Sequence, residues 1–175
     1  MPAARWGWHQ LDDRWARRLV ARADIAPAEL VVDIGAGTGA ITRHLLAAGA
    51  QVIAVEHHPR RAARLRRRFG DDVRVVEADA ADLRLPRRPF RVVANPPFAI
   101  TTALLRRILH DGSRLHQADL IVPTHVAARW GGGRGRGHHR WSTRFDVTIT
   151  ARVPRSAFRP PPPRPAAVLT FRRRL

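Results

Sequence analysis

The run Asn95-Pro96-Pro97-Phe98 directly follows the apolar stretch Phe90 to Ala94, and its residue types suit one kind of chemistry. An exocyclic amine such as adenine N6 is a poor nucleophile, because its lone pair is delocalised into the ring. The amide oxygen of Asn95 and the carbonyl of Pro96 could each accept one of its two hydrogens and turn the lone pair toward a methyl donor. Two prolines would keep those acceptors stiff, and Phe98 could stack on a base flipped out of its helix. Such catalysis rests on positioning and desolvation, without an obligatory general base. The same residues could instead form an Asn-Pro turn that merely ends a strand. Composition argues against that, since Asn95 is the only asparagine among the 175 residues.

A second chemical signal lies at Val31 to Ala40, VVDIGAGTGA, where an apolar run passes into a turn containing Gly35, Ala36, Gly37 and Gly39. Glycines let a ligand approach the backbone, and a helix starting here would offer its free N–H groups. Gly35, Gly37 and Ala40 also fit a dinucleotide fingerprint, and Glu56, with His57 beside it, falls 21 residues after Gly35, where a ribose-binding acid is expected. That acid serves NAD and S-adenosylmethionine equally. Two further acids favour the latter. Asp33, just before the glycines, is near enough to meet a positively charged amino-acid tail, and Asp79, with Ala80 beside it, can accept from an adenine amino group.

These residues need elements to hold them. Four apolar runs, Leu30 to Ile34, Val52 to Val55, Val73 to Val76 and Phe90 to Ala94, alternate with segments of helical or loop character. A fifth run, Leu120 to Val122, follows a helical stretch from Thr101 to His110. Short β-branched runs spaced this way predict parallel strands buried on both faces. The expected fold is therefore α/β: a doubly wound, mostly parallel sheet of the Rossmann-like methyltransferase kind, in a single domain. An amphipathic helix is expected from Leu11 to Ala23, with Trp15, Leu19 and Val20 on its apolar face. Residues 129–144 read as a basic flexible loop, and Thr143 to Val153 and Ala166 to Phe171 as two final strands.

The composition points to a polyanionic partner. All 32 basic residues are arginine, against 14 acids, for a formal charge of +18. From Arg129 to Leu175 there are 12 arginines and one acid, Asp146. Such a surface attracts phosphates through counterion release, although a GC-rich genome by itself would favour arginine over lysine. Cysteine is absent, which excludes disulfides, thiolate zinc sites and thiol nucleophiles. Pairs such as His57-His58 and His138-His139 lack metal-ligand spacing, so no metal is expected. With no signal-like or membrane-length apolar segment, a cytoplasmic monomer is the default.

Taken in order, DIGAGTG, Glu56, Asp79-Ala80 and NPPF resemble the Erm-type rRNA adenine N6-methyltransferases and their dimethyladenosine-transferase relatives. The resemblance extends to Trp8-His9-Gln10-Leu11, similar to the segment that this family folds over its donor, and to Val153-Pro154-Arg155-Ser156-Ala157-Phe158-Arg159-Pro160, similar to its late motif. It implies Asn95, Pro96, Phe98 and Phe158 as the catalytic set, with Phe158 near the target base. His9, Gln10, Leu11, Asp33, Gly35, Ala36, Gly37, Gly39, Glu56, His57, Asp79, Ala80 and Asn95 would hold S-adenosylmethionine. The family usually has an aliphatic residue before its proline and tyrosine last in the tetrapeptide, where Pro96 and Phe98 stand here; stacking survives, a hydroxyl contact does not.

The resemblance also implies a substrate: an adenine of the peptidyl-transferase loop in 23S rRNA, free or in an assembling large subunit, whose methylation gives macrolide, lincosamide and streptogramin B resistance. Residues 1–28 are expected to form a donor-covering segment and helix within one catalytic domain, 1–175. The family's helical C-terminal domain is expected to be missing, with Arg134, Arg136, Arg140 and Arg144 partly substituting as RNA contacts. Three alternatives stay open: a small-subunit rRNA dimethyltransferase, an RNA-binding module with a relict cofactor pocket, and an NAD-dependent oxidoreductase.

Overall fold

A computed structural model describes residues 8–131 and 143–174. Its elements are β1 (Gln10–Leu11), α1 (Asp13–Ala23), β2 (Leu30–Ile34), α2 (Ala40–Ala47), β3 (Gln51–Glu56), α3 (Pro59–Phe69), β4 (Val73–Glu77), β5 (Phe90–Ala94), α4 (Thr101–Ile108), β6 (Leu115–Pro123), α5 (Thr124–Gly131), β7 (Phe145–Val153), β8 (Phe158–Arg159) and β9 (Ala166–Arg173). Seven strands form one sheet in the order β4-β3-β2-β5-β6-β9-β7. The first five are parallel; β9 runs antiparallel to β6, and β7 to β9. This is the expected α/β fold. The strand order reverses between β2 and β5, and such a switch point opens a crevice at the carboxyl ends of the two strands.

Alternation within the strands builds a core on each face. Val32, Ile34 and Val92 pack with Leu104, Leu105 and Ile108 of α4 on one side, while Val31, Ala54 and Val93 pack with Leu19, Leu45 and Leu65 of α1, α2 and α3 on the other. Local chemistry starts the helices. Asp12 caps α1 by accepting from the Trp15 N–H at 2.8 Å, and His58 caps α3 with Pro59 in the first turn, where proline loses no helical bond.

Three boundaries differ from the sequence expectation. Leu11 belongs to β1 rather than α1, and its side chain is buried in the core. β6 starts at Leu115 rather than Leu120, because Gln117 and Asp119 are buried polar residues satisfied by one another and by Thr170. Arg129, Trp130 and Gly131 fall in α5, not in a loop, since Val126 and Ala127 anchor that helix in the core.

At the opposite end of the sheet from the crevice, Arg91 is buried. Its guanidinium donates to Glu29 at 2.9 Å and to the Ala23 carbonyl and lies 4.0 Å from Asp119; His116 contacts the same Glu29 at 3.0 Å. Burial raises the Asp119 pKa and lowers that of His116. Among the described residues, no helix is long and apolar enough to cross a membrane, and no group of three or more His, Asp or Glu is placed to hold a metal.

Candidate active site

The glycine turn closes the end of β2. Gly35, Gly37 and Gly39 all take positive φ, at 77°, 59° and 85°, a region costly for any residue with a Cβ. They serve different neighbours. A Cβ on Gly35 would lie 3.0 Å from the Pro97 ring and 3.3 Å from Pro96 Cα, so this glycine lets the NPPF run seat against the turn. A Cβ on Gly37 would lie 2.9 Å from the indole nitrogen of Trp8. Gly39 faces away from the cleft, since its Cβ would meet Phe69 of α3 at 2.6 Å. Its role is helix packing, which departs from the donor contact expected of it.

Glu56, at the end of β3, ties the turn down. Its carboxylate accepts from the Gly37 N–H and from the His58 N–H, both at 2.8 Å, with Arg61 at 3.8 Å. Asp33 is buried beneath the glycines. One of its oxygens accepts from the Thr42 hydroxyl at 2.7 Å, and the other, Oδ1, has no partner among the described residues. Burial pushes the Asp33 carboxyl up to about 7, against the lowering effect of the Thr42 hydrogen bonds. This is the state of a carboxylate that lacks its cation.

Asn95 stands at the end of β5, across the crevice. Its Nδ2 donates to the His9 carbonyl at 2.8 Å, while Oδ1 is buried without a partner among the described residues. The N-terminal segment reaches this corner because β1 pairs antiparallel with β8, placing Gln10 opposite Arg159 and Leu11 opposite Phe158. The His9 ring is fixed by the Pro160 carbonyl at 2.8 Å and meets both nearby phenylalanines. Phe98 and Phe158 stand edge to face, their centroids 5.9 Å apart, so residues 60 positions apart share one aromatic wall.

Two cavities adjoin this corner. The larger, about 270 Å³, is bounded by Glu56, His57, Asp79, Ala80 and Ile100; the smaller, about 20 Å³, is bounded by Gln10, Leu11, Asp33, Ala36 and Asn95. Trp8 and Gly35 border both. An elongated ligand lying across them would meet acids at three points. Asp79 is at the far end, where it also accepts from the Ala81 N–H at 2.9 Å.

Sequence comparison decides the family. The model of the family described as Ribosomal RNA adenine dimethylase matches residues 9–175. The chain belongs to this family. Among its relatives is the mycinamicin-resistance protein MyrB of Micromonospora griseorubida, 40% identical over 84% of this chain and 48% of that protein. Ribosomal RNA small subunit methyltransferase A of a Synechococcus strain is 35% identical over 96% of the chain and 66% of its own length. The crystal structure of the 23S rRNA methyltransferase ErmE superposes with a TM-score of 0.86 at 28% identity, covering 93% of this chain and 68% of that one. The chain thus spans about half to two thirds of the length of these curated relatives.

In this ribosomal RNA adenine dimethylase chain, most residues expected at the site gather around the two cavities: Gln10, Leu11, Asp33, Gly35, Ala36, Gly37, Glu56, His57, Asp79, Ala80 and Asn95. His9 instead joins Phe98 and Phe158. The Arg144 guanidinium is committed elsewhere, donating to the Leu109 and His110 carbonyls and pairing with Asp111 at the end of α4. Arg134, Arg136 and Arg140 lie outside the described residues. The sequence reading passed over Trp8 and Arg61. Their signal was present but unspecific, since an N-terminal Trp and a helix arginine are ordinary residues until the fold stacks one on the other.

Proposed function

We propose that this chain transfers a methyl group from S-adenosylmethionine to N6 of an adenine in the peptidyl-transferase loop of 23S rRNA, free or in an assembling subunit. Resistance to macrolide, lincosamide and streptogramin B antibiotics would follow from the added bulk at the drug site. The observation that carries this reading is the Asn95 amide, whose NH2 group is occupied by His9 while its oxygen is buried and unpartnered beside Phe98 and Phe158. A buried acceptor with no donor has a free-energy cost that a ligand amine can relieve.

The residues fit the donor. Asp33 Oδ1 offers a buried, unpartnered oxygen suited to an ammonium group, Glu56 suits ribose hydroxyls, and Asp79 with Ala80 suits an adenine edge. When bound, the donor supplies an electrophilic methyl on a sulfonium. The protein's part is positioning. Asn95 Oδ1 and the Pro96 carbonyl accept the two N6 hydrogens, and Phe98 and Phe158 hold the base by its faces and edge. The burial of this corner excludes the water that would compete for those acceptors.

MyrB is named for mycinamicin resistance and ErmE as a 23S rRNA methyltransferase, and both support the large-subunit adenine. A small-subunit rRNA dimethyltransferase is the second reading, favoured by the match to small subunit methyltransferase A over 96% of the chain. Phosphate contacts are assigned to Arg134, Arg136 and Arg140, and the enzyme is read as a cytoplasmic monomer working without metal. The test is transfer of labelled methyl from S-adenosylmethionine to total bacterial rRNA, with the product digested to nucleosides. Label in N6-methylated adenosine is expected, whereas RNA without label under varied salt and assembly states would leave the relict RNA-binding module.

A further inference from the structure

We infer that Trp8 is a gate on the donor cleft, a role that rests on the donor reading given above. The indole stands at the waist between the two cavities and borders both. It lies so close to the glycine turn that a Cβ on Gly37 would come within 2.9 Å of its nitrogen. Its ring also carries a cation, the Arg61 guanidinium, 4.0 Å from the centroid. Arg61 in turn is 3.8 Å from Glu56, which binds the Gly37 N–H. Glu56, Arg61, Trp8 and Gly37 therefore form a closed loop of contacts across the cleft.

Volume decides what this loop does. On the Glu56 and Asp79 side about 270 Å³ is open, enough for a nucleoside to begin entering. On the Asp33, Gln10 and Asn95 side about 20 Å³ remains, room for roughly one water molecule. An amino-acid tail with an ammonium, a carboxylate and a carbon chain does not fit there while the indole rests on Gly37. The unpartnered oxygens of Asp33 and Asn95 both belong to this closed side. Access to them requires Trp8 to leave the turn. The two ends are coupled through Arg61: a ligand group that engages Glu56 competes with Arg61 for the carboxylate and loosens the cation that holds the indole in place.

The gate makes a prediction that separates ligands by their tails. S-adenosylhomocysteine must open the closed side, whereas 5′-methylthioadenosine, which has no amino-acid tail, needs only the open one. Calorimetric titration of both into the wild-type chain and Trp8→Ala tests this. Trp8→Ala should bind S-adenosylhomocysteine about fivefold more tightly, the factor expected when one cation–π contact need no longer be broken, with 5′-methylthioadenosine affinity unchanged. Trp8→Phe, which keeps a smaller ring on Gly37, should fall between, and thermal unfolding of each variant checks that the fold is intact. The wild-type emission change on adding S-adenosylhomocysteine should disappear in Trp8→Phe. Weaker or unchanged S-adenosylhomocysteine binding by Trp8→Ala would overturn the gate, making the indole a fixed wall; equal tightening of both ligands would overturn it too. Binding of neither ligand to any form would overturn the donor reading itself, and the gate with it.

Discussion

The backbone carbonyl of His9 accepts the Nδ2–H of Asn95 at 2.8 Å, and this bond sets which way the amide faces. With its NH2 group turned to the N-terminal segment, Asn95 presents only its oxygen to the crevice. Replacing the amide by a methyl group removes the acceptor and leaves the fold's backbone pairing untouched. Asn95→Ala should lose at least about 100-fold in kcat, the scale of a lost positioning contact, with S-adenosylhomocysteine affinity changed little. Single-turnover methyl transfer beside calorimetry checks this, and near-normal turnover would refute the account of N6 positioning.

Asp33 makes donor binding depend on pH. Burial raises its carboxyl to about 7, well above its unfolded value, so the fold favours the protonated acid. The stability this group contributes is complete below the unfolded pKa and is lost as pH rises through the folded one. An ammonium binds only the ionised form, so affinity should move the opposite way. S-adenosylhomocysteine should bind more tightly as pH rises from about 6 to 8, with uptake of the ligand coupled to release of one proton. Asp33→Asn should abolish that dependence, weaken binding, and raise the unfolding temperature of the free protein above pH 7. A flat pH profile in the wild type would show that Asp33 does not meet the cation.

Glu56 joins two roles, and its removal should register in both. Glu56→Ala leaves the Gly37 and His58 N–H groups without their shared acceptor. Donor affinity should fall by roughly 1.5–3 kcal/mol, the range for a hydrogen bond to a charged group, accompanied by a lower unfolding temperature. Calorimetry and thermal melts read the two effects separately.

Gly39 and Gly35 should respond differently to the same added methyl. Gly39→Ala drives a Cβ against Phe69 and should cost about 1–3 kcal/mol of stability, as overpacking does, while donor affinity per folded molecule holds. Gly35→Ala pushes instead on Pro96 and Pro97 and should cut turnover. Urea unfolding and rate measurements on both variants distinguish packing from chemistry.

The buried pair at the far end of the sheet is expected to matter for stability alone. Arg91→Met strands Glu29 and Asp119 without their cation, and breaking a buried ion pair on one side costs about 3–5 kcal/mol. Chemical denaturation measures it, and kcat of the folded fraction should not move.

Much of this molecule could be read from its sequence because the reasons were local. A β-branched run followed by glycines, or by Asn-Pro-Pro-Phe, announces a strand and the turn that ends it, so β2 and β5 and the site residues at their ends were legible. Glu56 and Asp79 were legible by spacing, since each follows a strand. The start of β6 was not, because Gln117 and Asp119 look like surface residues until Thr170, 51 positions after Asp119, supplies the missing hydrogen bond. Gly39 was misread for a related reason: a glycine in a ligand-binding turn and one that admits Phe69 look alike in sequence. His9 and Trp8 depend on β1 pairing with β8, a contact between the two ends of the chain that no local pattern encodes.

The most direct test of the central claim is primer extension on rRNA from cells expressing the chain, run on both subunits' RNA. A stop at one adenine of the 23S peptidyl-transferase loop, absent when Asn95→Ala is expressed instead, is the predicted result. A stop confined to small-subunit rRNA would contradict the proposed substrate, and no new stop on either RNA, with the protein folded and binding S-adenosylhomocysteine, would contradict the proposed activity.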